Sequence, residues 1–184
     1  DYLSGFGLLN VQRAADVMIQ QADHPHAPVL VNDVLTQGTT RQFHIIVPAG
    51  GVPELRATLC WTDPAGTAQN SLDSPVRSLV NDLDILITGP HTDSPVLAFK
   101  RPFAPDPANP RQPAPRARNS RDNTEQVLVE NPEPGAYTVT VSHTGPITAP
   151  LGGNSQAFSL VMSGHQVANA LDFWPDLPRL VRLV

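Results

Sequence analysis

Two aspartates, Asp82 and Asp84, stand one residue apart at the start of the apolar run LVNDLDILITG. Aspartate is one of the residues that β-strands avoid, so the pair needs an explanation. Strand alternation would place both carboxylates on one face and Leu83, Ile85 and Ile87 on the other. Two carboxylates that point the same way repel each other unless they are separated, solvated or bridged by a cation.

A second oxygen-rich cluster, RDNTEQ, offers Asp122, Asn123 and Glu125 just before another apolar run. Calcium suits this chemistry because it is a hard cation that takes about six to eight oxygens from Asp, Asn, Glu and backbone carbonyls. If the two strands lie side by side, the two clusters can share one calcium ion. A second explanation stays open: Asp and Asn commonly begin strands and cap turns, and a wet strand face tolerates them. Asp63 in WTDP is expected to form a turn at the end of a strand.

Signatures of hydrolytic and zinc chemistry are missing from the sequence. Serine hydrolases of the α/β type carry G-x-S-x-G, which does not occur, and Ser4 in SGFG has its glycines on the wrong side. His24 and His26 lie in a proline-rich connector rather than in an element that would aim both rings at one metal. We therefore expect the six histidines to be ordinary surface or strand residues.

The charge and the hydropathy of the chain exclude two classes of partner. Lys and Arg number 12 against 17 Asp and Glu, a net charge of −5, whereas nucleic-acid binding needs a basic face. No apolar run approaches the roughly 18 residues of a membrane span. The start DYLSGFGLL has neither the basic region nor the long apolar region of a signal peptide. We expect the chain to begin where a larger protein was cut or processed.

The elements that must position the two acidic clusters follow from the apolar periodicity. Helical spacing predicts one amphipathic helix between Gly7 and Ala22, and the connector from Asp23 to Pro28 ends it. From Val29 onward the period changes to two, which predicts eight short strands and an all-β fold. The predicted strands are Val29–Thr36, Arg41–Val47, Glu54–Trp61, Asp82–Thr88, Pro95–Phe99, Glu125–Glu130, Ala136–His143 and Ala157–Gly164.

Eight strands separated by Gly, Pro, Asn and Asp clusters predict a jelly-roll-like antiparallel β-sandwich. Its predicted limits are residues 29–164, with the helix and linker in 1–28 and an apolar tail in 165–184. The Arg- and Pro-rich segment 100–121 has no apolar periodicity, so we expect a surface insertion there.

Several sequence blocks together resemble the C-terminal part of subtilisin-like serine proteases of the S8 family. YLSGFGLLNVQRAADV is similar to the last helix of the protease domain, through Gly5, Gly7, Asn10 and Ala14. The rest resembles the β-sandwich that follows this domain in a bacterial subset described as oxidatively stable alkaline proteases. The matching blocks are LRATLCWTDPAG, LVNDLDILITGP, DNTEQVLVENPEPGAYTVTVSH and QAFSLVMSG.

The resemblance implies a non-catalytic region of a secreted serine endopeptidase, because the family's catalytic Asp, His and Ser lie upstream of this helix. The implied partners are the protease domain of the parent chain and, indirectly, protein substrates. The resemblance also implies calcium, with Asp84, Asp82, Asn123 and Glu125 as ligands. The chain departs from the family in one place: the relatives have an Asp- and Asn-rich loop where this chain has the Arg- and Pro-rich segment 100–121.

A carbohydrate- or protein-binding module of the extracellular space is the alternative function, because β-sandwiches host many functions. Sugar binding usually needs exposed aromatic platforms. Exposure of Trp174 and a tyrosine together on a concave face would favour this alternative.

Overall fold

The computed structural model describes residues 8–71, 76–90, 96–97, 113–149 and 152–167. Within these ranges the chain forms one α-helix and eight β-strands. The elements are α1 (Val11–Asp23), β1 (Leu30–Thr36), β2 (Arg41–Val47), β3 (Glu54–Cys60), β4 (Asp82–Thr88), β5 (Val96–Leu97), β6 (Thr124–Glu130), β7 (Gly135–Thr144) and β8 (Ser155–Ser163). No helix in the described ranges is both long and apolar enough to cross a membrane.

The strands form two four-stranded sheets, in the orders β1-β8-β3-β6 and β2-β7-β4-β5, and all paired strands are antiparallel. Two stacked sheets in which most consecutive strands lie in opposite sheets constitute a jelly roll. The predicted all-β jelly-roll sandwich is therefore confirmed. The strand bounds agree with the predicted ones to within two residues, except that most of Pro95–Phe99 lies outside the described residues.

The core lies between the two sheets and is filled by the inward-facing side chain of every second strand residue. In β4, for example, Leu83 and Ile87 are fully buried and Ile85 is 2% exposed. This is the face that alternation predicted for them. The other large core side chains include Leu35, Ile45, Val47, Leu55, Leu59, Val127, Tyr137, Val139, Val141, Phe158, Leu160 and Met162.

Helix α1 begins later than the periodicity predicted. Asn10 is its N-cap, and the Asn10 side chain accepts a hydrogen bond of 2.9 Å from the backbone N–H of Arg13. A capped helix starts at its capping residue, so Leu8 and Leu9 precede the first turn. His24 is the C-cap, and the following Pro25 prevents continuation of the helix.

Gly164 follows β8 and brings the chain into close contact with the start of β3. Its φ is +84°, and a Cβ on Gly164 would lie 1.9 Å from the carbonyl oxygen of Glu54. Gly38, in the turn after β1, has a similar φ of +77° but no atom within 4 Å of the position of a Cβ. An alanine at Gly38 would therefore cost only the left-handed backbone, whereas an alanine at Gly164 would add a steric clash.

We expect Gly164→Ala to destabilise the protein much more than Gly38→Ala. A left-handed φ costs a non-glycine residue about 1–2 kcal/mol, and only the alanine at position 164 would also force a backbone carbonyl to move. Thermal unfolding should show a drop in Tm of a few degrees for G38A and at least about twice that drop for G164A. Equal drops would contradict the close approach of Gly164 to β3.

His165 is a buried histidine without a hydrogen-bond partner in the described residues. It is 8% exposed, both ring nitrogens lack partners, and burial lowers the pKa of the ring to about 4. The ring is therefore neutral in the folded protein at neutral pH. The next residue, Gln166, donates its backbone N–H to the carbonyl oxygen of Ile46 at 2.6 Å, which holds this segment against β2.

Acid should destabilise the wild-type protein more than a His165→Phe variant. The unfolded chain binds a proton at the ordinary pKa of 6.5 and the folded chain only near 4, so stability is lost as the pH falls through this window. The loss is on the order of 3 kcal/mol. Urea unfolding between about pH 4 and 7 measures it, with the exposed His44→Gln as control. Parallel pH profiles for wild type and H165F would contradict a neutral buried ring.

Candidate functional site

The two acidic clusters of the sequence meet where β4 and β6 approach each other from opposite sheets. β5 pairs with β4 only at Leu86 and Ile87, so the edge of β4 that faces away from β7 has no neighbouring strand before Leu86 among the described residues. Glu125 lies on the inward-facing side of β6, and its Oε2 accepts a hydrogen bond of 2.9 Å from the backbone N–H of Ile85. A carboxyl group from one sheet therefore completes the hydrogen bonding of a strand in the other.

Asp82 and Asp84 lie on the face of β4 opposite to its core residues, as alternation predicted. This face is covered at its start, because Asp82 is only 1% exposed. Two arginines of the described segments contact its carboxylate. Arg77 lies 3.3 Å from Oδ2 of Asp82 through Nη2, and Arg118 contacts the same oxygen through its own Nη2.

Arg118 binds the two aspartates as a fork. Its Nη2 donates to Oδ2 of Asp82, and its Nε donates to Oδ1 of Asp84 at 3.1 Å. The second oxygen of Asp84 accepts a hydrogen bond of 2.8 Å from the hydroxyl of Thr144 on β7. Each aspartate therefore has a charged donor, and the repulsion between the two carboxylates is offset by one guanidinium group.

Two buried oxygens of the cluster, Oδ1 of Asp82 and Oε1 of Glu125, have no hydrogen-bond partner among the described residues. Burial raises the pKa of Glu125 to about 9; the N–H of Ile85 opposes this shift, and the charges of Asp84 and Asp82 add to it. Burial and the charge of Asp84 also raise the pKa of Asp82, against the effect of Arg118 and Arg77. Glu125 therefore holds its proton at neutral pH.

Asn123 and Asp122 form hydrogen bonds with Trp61 and Asn119. The side chain of Asn123 donates to the carbonyl oxygen of Trp61 at 2.8 Å, and the Trp61 N–H donates to the carbonyl oxygen of Asn123. These bonds continue the β3–β6 ladder beyond Cys60. Oδ2 of Asp122 accepts a hydrogen bond of 2.8 Å from Asn119. Of the predicted calcium ligands, the structure brings together Asp82, Asp84 and Glu125.

Sequence reasoning missed the arginines and the buried Asn81. The Asn81 amide donates to the carbonyl oxygen of Thr148 and to Oε1 of Gln156, and its Oδ1 accepts from the N–H of Thr148. The carboxylate of Asp63 accepts the backbone N–H groups of Val80 and Asn81 at 2.7 and 2.8 Å. These two hydrogen bonds join Asp63 to residues 17 and 18 positions later in the chain. The local WTDP pattern does not predict them.

The described side chains do not fit a calcium ion while Arg118 is in place. The carboxyl oxygens are of the kind that calcium binds, and the two unpartnered oxygens would suit a cation. However, the guanidinium group already lies between Asp82 and Asp84. In the described ranges no group of three or more His, Cys, Asp and Glu side chains is arranged to hold a metal. Calcium binding stays a prediction of the sequence.

The pH dependence of stability should reveal the proton on Glu125. Because its pKa is raised from 4.5 to about 9, the stability that it contributes is complete below about pH 4.5 and is lost as the pH rises toward 9. A Glu125→Gln variant keeps a neutral side chain with an oxygen for the Ile85 N–H. We expect the free energy of unfolding to fall between about pH 5 and 9 by at least about 2 kcal/mol more in the wild type than in E125Q.

Urea unfolding at three pH values in this range measures the difference. Glu130→Gln is the matched control, because Glu130 ends the same strand and is exposed. A wild-type curve parallel to that of E125Q would mean that Glu125 is ionised in the folded protein.

Comparisons with protein-family models and with curated proteins found no match to this chain. What the cluster does must follow from its own chemistry. Arg118 joins the segment 113–123 to β4, the hydroxyl of Thr144 on β7 bonds Asp84 on β4, and Glu125 joins β6 to β4. The cluster is thus suited to holding the two sheets and a loop together at one edge of the sandwich.

Proposed function

We propose that this chain is the non-catalytic β-sandwich module of a secreted subtilisin-like serine protease. In this proposal it packs against the protease domain through α1, stabilises that domain outside the cell and shapes the access of protein substrates. The peptide bond would be cut by the protease domain through an acyl-enzyme intermediate.

The observation that carries the proposal is the apolar face of α1, which points away from the sandwich. Val11 is 69% exposed, Met18 59% and Ile19 58%, and no residue of α1 is buried. Leu8 and Leu9 just before the helix are also exposed. A run of exposed large apolar side chains on one helix face is typical of a surface that a partner covers.

Polar contacts attach the opposite side of α1 to the sandwich. Oε1 of Gln21 accepts the N–H of Leu30 at 2.7 Å, and Arg13 forms an ion pair of 3.4 Å with Glu54. The helix is therefore placed on the sandwich without using its apolar face. This geometry suits a helix that belongs in part to the core of a neighbouring domain, as the resemblance to the last helix of a protease domain implies.

The environments of two histidines, His143 and His44, support a non-catalytic role. His143 accepts the N–H of Gly38 at Nε2 and pairs through Nδ1 with the carbonyl oxygen of Gly145. His44 pairs with the hydroxyl of Thr138. These hydrogen bonds stabilise a turn and a strand pair. In neither of them does a histidine bond a serine hydroxyl, as the base of a catalytic triad does.

The alternative is an extracellular carbohydrate- or protein-binding module, and its carbohydrate-binding form gains no support from Trp61 or Tyr137. Trp61 is 5% and Tyr137 2% exposed, so neither provides a stacking platform. Trp174 and Tyr2 lie outside the described residues.

The first test is to sequence the reading frame upstream of the stretch that encodes this chain. We expect it to encode a catalytic Asp, His and Ser before residue 1. An upstream frame without a protease would overturn the proposal.

The second test is hydrogen exchange of α1. The amides of residues 11–23 should exchange fast in the isolated chain and slowly in the parent protein.

A matched pair of substitutions shows which face is covered. Met18→Glu should lower the Tm of the parent protease by several degrees, because it places a charge in an apolar interface. Gln12→Glu introduces the same charge at an exposed polar position of the same helix. It replaces the 2.9 Å hydrogen bond to Asp16 with a like-charge pair, which costs only about 0.2–0.5 kcal/mol, so its effect should be small. In the isolated chain both variants should melt close to the wild type. A large loss for M18E in the isolated chain would mean that the chain's own residues cover the helix.

A further inference from the structure

The guanidinium group of Arg118 lies where a metal ion would have to sit to bridge Asp82 and Asp84. Residues two apart in a strand lie about 6.6–6.8 Å from each other, with both side chains on the same face. The planar fork of an arginine can span this gap with two parallel donors. We propose that Arg118 is the resident cation of this cluster, in the position that the sequence assigns to calcium, and that the sandwich needs no metal ion there.

The charges of the cluster support an arginine rather than a metal. Asp82 and Asp84 carry two negative charges, and Arg118 and Arg77 carry two positive ones. Both arginines contact Asp82, and Arg118 also contacts Asp84, so the two carboxylates are matched by two guanidinium groups without any ion. A calcium ion beside both arginines would bring four positive charges against at most three negative ones, so it could bind only if a guanidinium group left.

Asn119 holds Arg118 in position. It is 2% exposed, and its Oδ1 accepts the backbone N–H groups of Arg121 and Asp122 at 3.1 and 3.3 Å. Its amide also donates to Oδ2 of Asp122. This Asx-type turn fixes the backbone directly after Arg118, so less conformational entropy is lost when the long arginine side chain binds the aspartates.

The unpartnered oxygens show what the site would become without the arginine. Oδ1 of Asp82 and Oε1 of Glu125 are buried and unpartnered in the described part of the chain, and both residues are 1% exposed. If the guanidinium group were removed, Asp82 and Asp84 would lose the cation that they share, and two carboxylates would face each other without it. A divalent cation with a preference for oxygen is the ion expected to bind there.

Calcium dependence of the Tm in wild type and in Arg118→Gln tests this inference. The Tm of the wild-type chain should be the same, within about 1 °C, in chelator and in millimolar calcium. R118Q in chelator should melt about 5–10 °C lower than the wild type. Calcium should restore several degrees to R118Q, and titration calorimetry should detect calcium binding to R118Q only.

The control is Arg41→Gln, which removes the 3.1 Å surface ion pair with Asp33 at the edge of the sandwich. It should lower the Tm only slightly and create no calcium response. If R118Q does not fold, Arg118→Lys supplies the test, because lysine keeps the charge but lacks the fork. R118K should fold with a lowered Tm and still show no calcium response.

Three outcomes would overturn the inference. A wild-type Tm that rises by several degrees in calcium would mean that the metal is the resident cation. An unchanged Tm for R118Q would mean that the arginine does not stabilise the cluster. If R118Q is destabilised but binds no calcium, Arg118 does not occupy a place where a metal ion could bind.

Discussion

Buried polar groups at the start of β4 need partners once the two sheets close, and this requirement organises one whole edge of the molecule. An unpartnered buried polar group costs about 1–3 kcal/mol. Asp63 takes the N–H groups before β4, Asn81 bonds the segment before β8, and Glu125 takes the N–H of Ile85 from the opposite sheet. The sequence blocks WTDP, NDLD and RDNTE thus form one polar network around the end of the core.

Within this network, the identity of the cation between Asp82 and Asp84 determines whether the stability of the fold depends on the solution. A metal ion would make stability depend on the free metal concentration, because the ion binds only the folded state. An arginine is part of the chain and keeps its charge at any physiological pH. The segment that brings Arg118 to β4 therefore performs a structural task, although its sequence has the composition of a surface loop.

The sandwich and the helix have opposite characters. The apolar faces of the two sheets cover each other, so the jelly roll has a complete core among the described residues. Helix α1 contributes no buried residue and presents its apolar side chains outward. This contrast supports the docking role proposed above for α1.

The sequence by itself determined the strands, the inward face of each strand and the all-β architecture. Alternation of period two is a local property, and burying one face of each strand leaves few ways to stack eight strands. The same local logic placed Asp82 and Asp84 on one face. It could not select their counter-ion, because Arg118 lies 34 and 36 residues away from them in a segment without periodicity.

Only the tertiary structure decided that an arginine lies between the two aspartates, that Asn123 bonds Trp61, and that Glu125 is buried, which raises its pKa. All three depend on which strand edges meet when the sheets stack. Burial and long-range hydrogen bonds are properties of the closed sandwich, and no short stretch of sequence carries them.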